Sequence, residues 1–311
     1  MTIADVCSLL IANDNFEILT HSSPDGDTLG SGFALCLALQ QAGKNARVIT
    51  DKMPEKWDYL KTGVKESEFQ AEYIVSVDVA AVSLLGDNEE KYRDKINLCI
   101  DHHISNSVQA DNVFVDAESA ATCEIIYSVI CEMGVKITKQ ITDCLYTGVS
   151  TDTGCFKFSN TTAKTHRIAA ALIEAGCDFY RINKAMFDTK TKGRMALEHD
   201  LFDTMEYFAN GRGAIICVTL DMLKRLNVTS DDIEGIESIP RAIEGVEMGI
   251  TMKEKEDGIV KISVRTNGGT DASKFCRQFG GGGHLAAAGC SIKGGCEAVK
   301  AAVIKAAEDF I

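Results

Sequence analysis

In the first half of the chain the apolar residues fall into short runs that stop on polar or charged positions. Residues 16–20 stop at His21 and a Ser-Ser-Pro-Asp-Gly turn, which predicts a strand followed by a turn. Residues 29–42 carry a helix-like pattern, and residues 47–50 read as the next strand. Residues 73–77 are rich in β-branched side chains and stop at Asp78, and residues 96–100 stop at Asp101, so both are expected to be strands. Helical periodicity returns over 120–133 and 137–149. Strands alternating with helices predict an α/β fold, a parallel sheet with helices on both faces.

The pattern changes after residue 180. A long charged stretch over 180–208, with Lys190, Lys192, Arg194, Glu198 and Asp200, reads as helical and as the connector between domains. Beyond it, residues 213–220, 246–253 and 259–265 are expected to be strands, with short helices at 222–226 and 271–279. The expected organisation is therefore a catalytic domain over 1–188, a helical linker over 189–208 and a smaller α+β domain over 209–311. No internal repeat is visible, and the one low-complexity tract is the glycine run 280–283.

Composition narrows the class. The chain has 311 residues, and one domain per ~150 residues predicts two. Hydrophobic residues at 45% and charged residues at 25% exclude a disordered or fibrous chain. A net charge of −13 argues against stable duplex DNA binding through a broad basic surface. The apolar residues 3–10 are interrupted by Asp5 and lack a basic lead, so no signal peptide is expected. No uncharged apolar run reaches the ~18 residues that span a bilayer. None of the 12 cysteines forms a Cys-x-x-Cys pair, and Cys36, Cys99, Cys144 and Cys217 lie inside apolar runs. Buried free thiols in a reducing, cytoplasmic setting without membrane partners are the expectation, with Cys290 and Cys296 the least settled.

The acids and histidines are placed where such a fold binds ligands. His21-Ser-Ser-Pro-Asp25-Gly-Asp27 follows the first strand, Asp78 ends another, and Asp101-His102-His103 ends a third. Thr151-Asp152-Thr153-Gly154 follows the apolar run 141–149. Ligands of open parallel sheets bind beyond the carboxyl ends of the strands, so His21, Asp25, Asp27, Asp78, His102 and Asp152 are expected at one edge. Carboxylates so crowded repel one another unless cations lie among them. Mixed imidazole and carboxylate donors suit manganese, and six donors suit two ions ~3.5–4 Å apart, the usual apparatus of phosphoester cleavage. Taken singly, Asp25 and Asp27 would read as turn formers or helix caps, and His102 and His103 as structural histidines. Their joint placement favours the metal reading. His166 and His199 lie on helical patterns away from the strand ends and are expected on solvated helix faces.

The motifs His21-x-x-x-Asp25-x-Asp27, Asp78, Asp101-His102-His103 and Asp152 resemble those of the DHH phosphoesterase superfamily. Ser263-Val-Arg265 and Phe279-Gly-Gly-Gly-Gly-His284-x-x-Ala-Ala-Gly289 resemble its DHH-associated C-terminal domain. The resemblance spans nearly the whole chain. In size and domain pairing it is similar to the NrnA-type members, oligoribonucleases (nanoRNases) that also dephosphorylate adenosine 3′,5′-bisphosphate (pAp). The resemblance implies two divalent ions, manganese first, with magnesium or cobalt as alternatives. It implies His21, Asp25 and Asp78 on one ion, and Asp27, Asp78, His102 and Asp152 on the other, with Asp78 bridging. His103 would face the scissile phosphate as a hydrogen-bond donor or general acid, with Asp101 orienting its neighbours. Ser31 and Gly30 would approach the phosphate from the following helix.

The glycine run by itself would read as a flexible loop, but beside His284 it reads as a substrate grip. Gly281, Gly282 and Gly283 expose backbone amides, and Arg265 and His284 add charged donors. The implied substrates are short RNA oligonucleotides, linear dinucleotides such as pApA, and pAp, with a homodimer left open. A RecJ-like single-strand exonuclease is the enzymatic alternative, although such enzymes usually carry additional domains. A type II pyrophosphatase would end in a different, basic motif, and a membrane-bound cyclic-dinucleotide phosphodiesterase would need membrane and sensor segments. A non-catalytic nucleotide-binding module is the alternative of another class, disfavoured by the complete set of ligand positions.

Overall fold

The computed structural model describes residues 1–311 except Lys52 and Ser230. The chain divides into two compact units, Met1–Thr189 and Lys190–Ile311.

The first unit opens with helix α1 (Ile3–Ala12). The Asp5 that interrupts its apolar run closes a capping box with Thr2, each side chain bonding the other residue's backbone N–H. Strand β1 (Phe16–Leu19), helix α2 (Gly26–Gln41) and strands β2 (Ala46–Ile49) and β3 (Tyr73–Val77) follow. After the short helix α3 (Glu89–Tyr92) come β4 (Leu98–Asp101) and β5 (Asn112–Val115), then helices α4 (Thr122–Glu132), α5 (Lys139–Asp152), α6 (Ala163–Glu174) and α7 (Phe179–Asn183). The strands form one parallel sheet in the order β2-β1-β3-β4-β5. The order reverses between β1 and β3, which makes the carboxyl ends of these two strands the switch point where ligands bind.

Alternation along the strands assigns the two faces. Phe16, Ile18, Val75, Val77, Leu98 and Ile100 pack with the helices α1, α2 and α4–α6 in the larger core. Leu19, Ile74 and Cys99 point the other way, against Leu85 and Tyr92 of the thin layer formed by the 3₁₀ segment Val82–Asn88 and α3, and against Val108 of the connection between β4 and β5. Helix α2 is central, with every residue from Gly26 to Leu39 buried. It crosses α5 closely: a methyl at Gly30 would stand 2.5 Å from the Cys144 carbonyl oxygen.

The second unit begins with α8 (Lys192–Asp203), followed by β6 (Glu206–Phe208), β7 (Gly213–Val218), α9 (Leu220–Leu226), α10 (Ser238–Arg241), β8 (Met248–Glu254) and β9 (Ile259–Thr266). Helix α11 (Ala272–Arg277), strands β10 (Gly282–His284) and β11 (Ala287–Lys293) and helix α12 (Cys296–Glu308) complete it. Its six strands form a mixed sheet in the order β10-β11-β9-β8-β7-β6.

Several expectations need correction. The helix expected from residue 29 begins at Gly26, because the Asp25 carboxylate caps it. The helix expected over 137–149 runs on to Asp152, so Asp152 ends a helix rather than following a strand. Strand β5 was not expected; its residues alternate between half-buried and exposed, as on a sheet edge. The stretch 180–208 is not one helix. It contains α7, a π turn over Lys184–Asp188, α8 and β6. Leu197 and Leu201 of α8 are buried with Ile216, Val218 and Ile236 in a core of the second unit, so that helix packs there instead of bridging through solvent.

Candidate metal centre and active site

The acidic cluster forms where β1, β3 and β4 end. Asp25 caps α2, its Oδ1 accepting from the N–H groups of Asp27 (3.0 Å) and Thr28 (3.1 Å). That cap fixes the following turn, and Asp27 becomes fully buried. Both Asp27 oxygens then meet the amino end of α4: the N–H of Thr122 donates to Oδ2 (2.6 Å) and that of Cys123 to Oδ1 (2.9 Å). Orphan amides of a helix start are natural anion partners. Asp78 follows β3 with a left-handed φ of 58°, a conformation that asparagine and aspartate tolerate better than most residues. Its Oδ1 accepts from the Thr122 hydroxyl at 2.9 Å.

Two sets of donors share Asp78. On one side His21 Nε2 lies 3.6 Å from Asp25 Oδ1 and 3.8 Å from Asp78 Oδ2. On the other, His102 Nε2 lies 3.4 Å from Asp152 Oδ2, 3.6 Å from Asp78 Oδ1 and 4.0 Å from Asp27 Oδ2. His21 Nδ1 sits 2.9 Å from the Ser22 carbonyl, and His102 Nδ1 sits 3.2 Å from that of Ser119. A carbonyl only accepts, so each Nδ1 carries a proton, and Nε2 is the nitrogen that can offer a lone pair to a cation. His102 Nε2 is buried and has no hydrogen-bond partner among the described residues. Facing carboxylates, each Nε2 needs a proton or a metal cation, and the second is the arrangement of a metal-binding histidine with its other nitrogen anchored.

Electrostatics agree with that reading. Burial pushes Asp27, Asp78 and Asp152 above the ordinary carboxylate range, and for Asp78 and Asp152 the neighbouring acids push further the same way. Burial also acts on Asp25, but His21 and the capping amides outweigh it and hold its carboxyl low. A dicationic charge would remove the mutual repulsion. Asp101 is different: Oδ1 accepts from the N–H of His102 and from His103 Nδ1, both at 2.8 Å, and Oδ2 accepts from Asn106 Nδ2 at 2.6 Å. Those bonds occupy the carboxylate and turn His103 so that its Nε2 is free. His103 lines a cleft of about 170 Å³ with His21, Asp25, Asp78, Leu84 and Asp152.

Sequence reasoning missed Thr122, Cys123 and Asn106. The available signal was weak: a threonine opening a helical run and an asparagine shortly after two histidines. Ser31, expected to approach the phosphate through its backbone, is fully buried, and its hydroxyl donates to the Thr28 carbonyl at 3.2 Å. His166 and His199 are exposed, although His166 stacks on Phe156 at 5.3 Å.

In the second unit, strand register aligns His284 with Ala287 and Ala287 with Arg265. Residues aligned across neighbouring strands point to one face, so His284 and Arg265 flank a small alanine. The glycine run is not a free loop. A methyl at Gly281 would stand 2.5 Å from Cys290 Cβ and one at Gly283 2.6 Å from the Ala287 carbonyl oxygen, so both permit close strand packing, whereas Gly282 faces open space. The Gly281 N–H is already taken by the Cys276 carbonyl.

Acids and histidines at the switch point of a parallel sheet, followed by a mixed-sheet unit with a glycine-rich edge, define the class: this chain belongs to the DHH family of phosphoesterases. The sequence pattern of the DHH family N-terminal domain matches residues 15–149, and that of the DHHA1 domain matches residues 213–311. The family is metal-dependent. A Thermus thermophilus protein named bifunctional oligoribonuclease and PAP phosphatase NrnA is 30% identical over 283 residues, covering 89% of this chain and 84% of that protein. A Bacillus subtilis protein of the same name is 25% identical, covering 90% of each chain. An exopolyphosphatase-related protein from Bacteroides fragilis shares the fold with a TM-score of 0.90 at 24% identity, covering 99% of this chain and 96% of that one. Among the described residues no helix is long and apolar enough to cross a membrane.

Proposed function

We propose that this phosphoesterase hydrolyses short RNA oligonucleotides and linear dinucleotides such as pApA to mononucleotides, and removes the 3′-phosphate of pAp, using two divalent ions, manganese first. The observation that carries the reading is the pair of imidazole nitrogens, His21 Nε2 and His102 Nε2, each turned toward a different oxygen of Asp78. His21, Asp25 and Asp78 would hold one ion, and Asp27, His102 and Asp152 the other, with Asp78 shared. Bound there, the ions would supply Lewis acidity and a water nucleophile active near neutral pH.

The rest is done by the chain's own groups. Asp101 positions His103, whose free Nε2 reaches the cleft as a donor to a phosphoryl oxygen or to the departing oxygen when the P–O bond breaks. Arg265 and His284, on one face of the second sheet, supply phosphate donors that offset the chain's acidity, with Gly282 leaving room for backbone approach. The names borne by the Thermus and Bacillus relatives support this substrate class. The twelve free thiols support action in the reducing cytoplasm.

The test is product analysis of the manganese-loaded protein on pAp, pApA, a short RNA, a long single-stranded DNA and pyrophosphate. Mononucleotides from the RNA and from pApA, with phosphate from pAp, are expected. Asp78→Ala should lose turnover and metal binding together, whereas Arg265→Ala should raise KM with metal content unchanged. Preferred attack on long DNA, or full activity in Asp78→Ala, overturns the proposal.

A further inference from the structure

The segment after Asp152 makes a left-handed bend. Gly154, Cys155 and Phe156 have consecutive φ values of 55°, 57° and 63°. Two of the three are not glycine, so the run is intrinsically unfavourable, and such strain clusters at ligand sites. Local bonds hold it in place. The Thr153 carbonyl accepts from the N–H groups of Lys157 (2.9 Å) and Phe158 (3.0 Å), and the Thr153 hydroxyl accepts from that of Phe156 (3.1 Å). Asn160 Nδ2 then donates to the Asp152 carbonyl at 3.1 Å and to that of Ala120 at 3.0 Å, tying the far end back to the cluster.

The bend treats its two aromatic rings differently. Phe156 turns inward, 6.0 Å from the Tyr146 ring and stacked on His166. Phe158 turns outward and is 52% exposed. A methyl placed on Gly154 would fall almost equally close to Cζ, Cε1 and Cε2 of Phe158, 2.5 and 2.7 Å from the two Cε atoms. Near-equal distances to three adjacent ring atoms mean that a face of the ring, not its edge, lies on the glycine. One face is therefore backed by main chain and the other is open. The backing glycine is only two residues from Asp152, a span of at most ~7 Å along the chain.

We propose that the open face of Phe158 is a stacking platform for the nucleobase of the substrate, adjoining the phosphate cleft. This rests on the nucleotide reading above and adds a base subsite to it. An aromatic platform accepts any base, because every base has a π-face, and so suits an enzyme that must clear short oligonucleotides of mixed sequence.

The test compares the manganese-loaded full chain with Phe158→Ala and Phe158→Trp on two substrates, a 5′-phosphorylated RNA dinucleotide and the same molecule with an abasic ribose at one end. Phe158→Ala should raise KM for the base-bearing substrate about tenfold to a hundredfold, the range for losing one stacked base, and leave the abasic one nearly unchanged. Phe158→Trp should retain the wild-type KM, and its added fluorescence should be quenched by AMP. Equal losses on both substrates, or no quenching of the Trp variant by AMP, overturn the platform. If wild-type protein turns over neither substrate, the function proposed above fails, and AMP quenching still decides whether a base sits on residue 158.

Discussion

Asp78 carries the greatest demand on a single residue. It adopts a left-handed backbone, is 3% exposed, and turns one oxygen toward each histidine. Thr122 holds it there, with its hydroxyl on Asp78 and its N–H on Asp27. The side chain is fully buried and spaced 44 and 95 residues from these partners, so no local pattern announces it. Thr122→Val keeps the shape and deletes the hydroxyl. Manganese affinity or kcat should fall roughly 10- to 100-fold, the usual effect of losing a group that orients a metal ligand. Thr122→Ser should restore it. An unchanged binding isotherm and kcat in the valine variant would show that Asp78 needs no such support. The converging acids and histidines were legible because they stand at or just beyond the ends of apolar runs; Thr122 was not, because it acts on residues distant in sequence, and Asn106 was not, because no pattern shows its amide turning back to Asp101.

At the scale of the element, β1 illustrates how a short strand contradicts its own pattern. Glu17 sits between Phe16 and Ile18 and by alternation belongs on a solvated face, yet it is 4% exposed. The neighbouring strand β2 brings Arg47 Nε to Oε1 (3.1 Å), and α3 brings the Tyr92 hydroxyl to Oε2 (2.8 Å). Burial alone would raise the Glu17 carboxyl, but these two donors outweigh it and hold the group below its ordinary value. A depressed folded-state pKa contributes stability that is present above the unfolded value, near 4.3, and is lost as pH falls through the folded value. Glu17→Gln should therefore destabilise the first unit by about 1–3 kcal/mol at pH 7 and flatten the acid limb of its stability curve below about pH 4. Urea melts at neutral and acidic pH measure this. An acid limb as steep as in the wild type would mean that another carboxylate controls it. Burial of Glu17 was not legible, because its partners arrive from β2 and α3.

Across the whole molecule, all the converging acids and histidines lie in the first unit, whereas the second has separate cores of its own. Ligand that binds one folded unit stabilises that unit by mass action. Calorimetry of the metal-free chain should resolve two transitions, and manganese at 100 times its Kd should stabilise the first unit by about 2.7 kcal/mol while leaving the other transition in place. A manganese-dependent shift of the second transition alone would place the metal in the wrong unit.

The sequence by itself determined the α/β class, and it set His21, Asp78 and Asp101 at the ends of apolar runs. Those features follow from local rules: apolar runs stop where strands stop, and polar residues at those stops share one edge of a parallel sheet. Tertiary structure decided what each group does there. It anchored Nδ1 of His21 and His102 on carbonyls so that Nε2 faces the acids, occupied Asp101 with His103 and Asn106, sealed Ser31 inside α2, and carried Asp152 in on the end of α5. It also closed most of the glycine run into a strand edge and turned Phe158 outward over Gly154. Some of these contacts join near neighbours and others join segments far apart, but periodicity fixes none of them, because it records only which face a residue takes, not what it meets there.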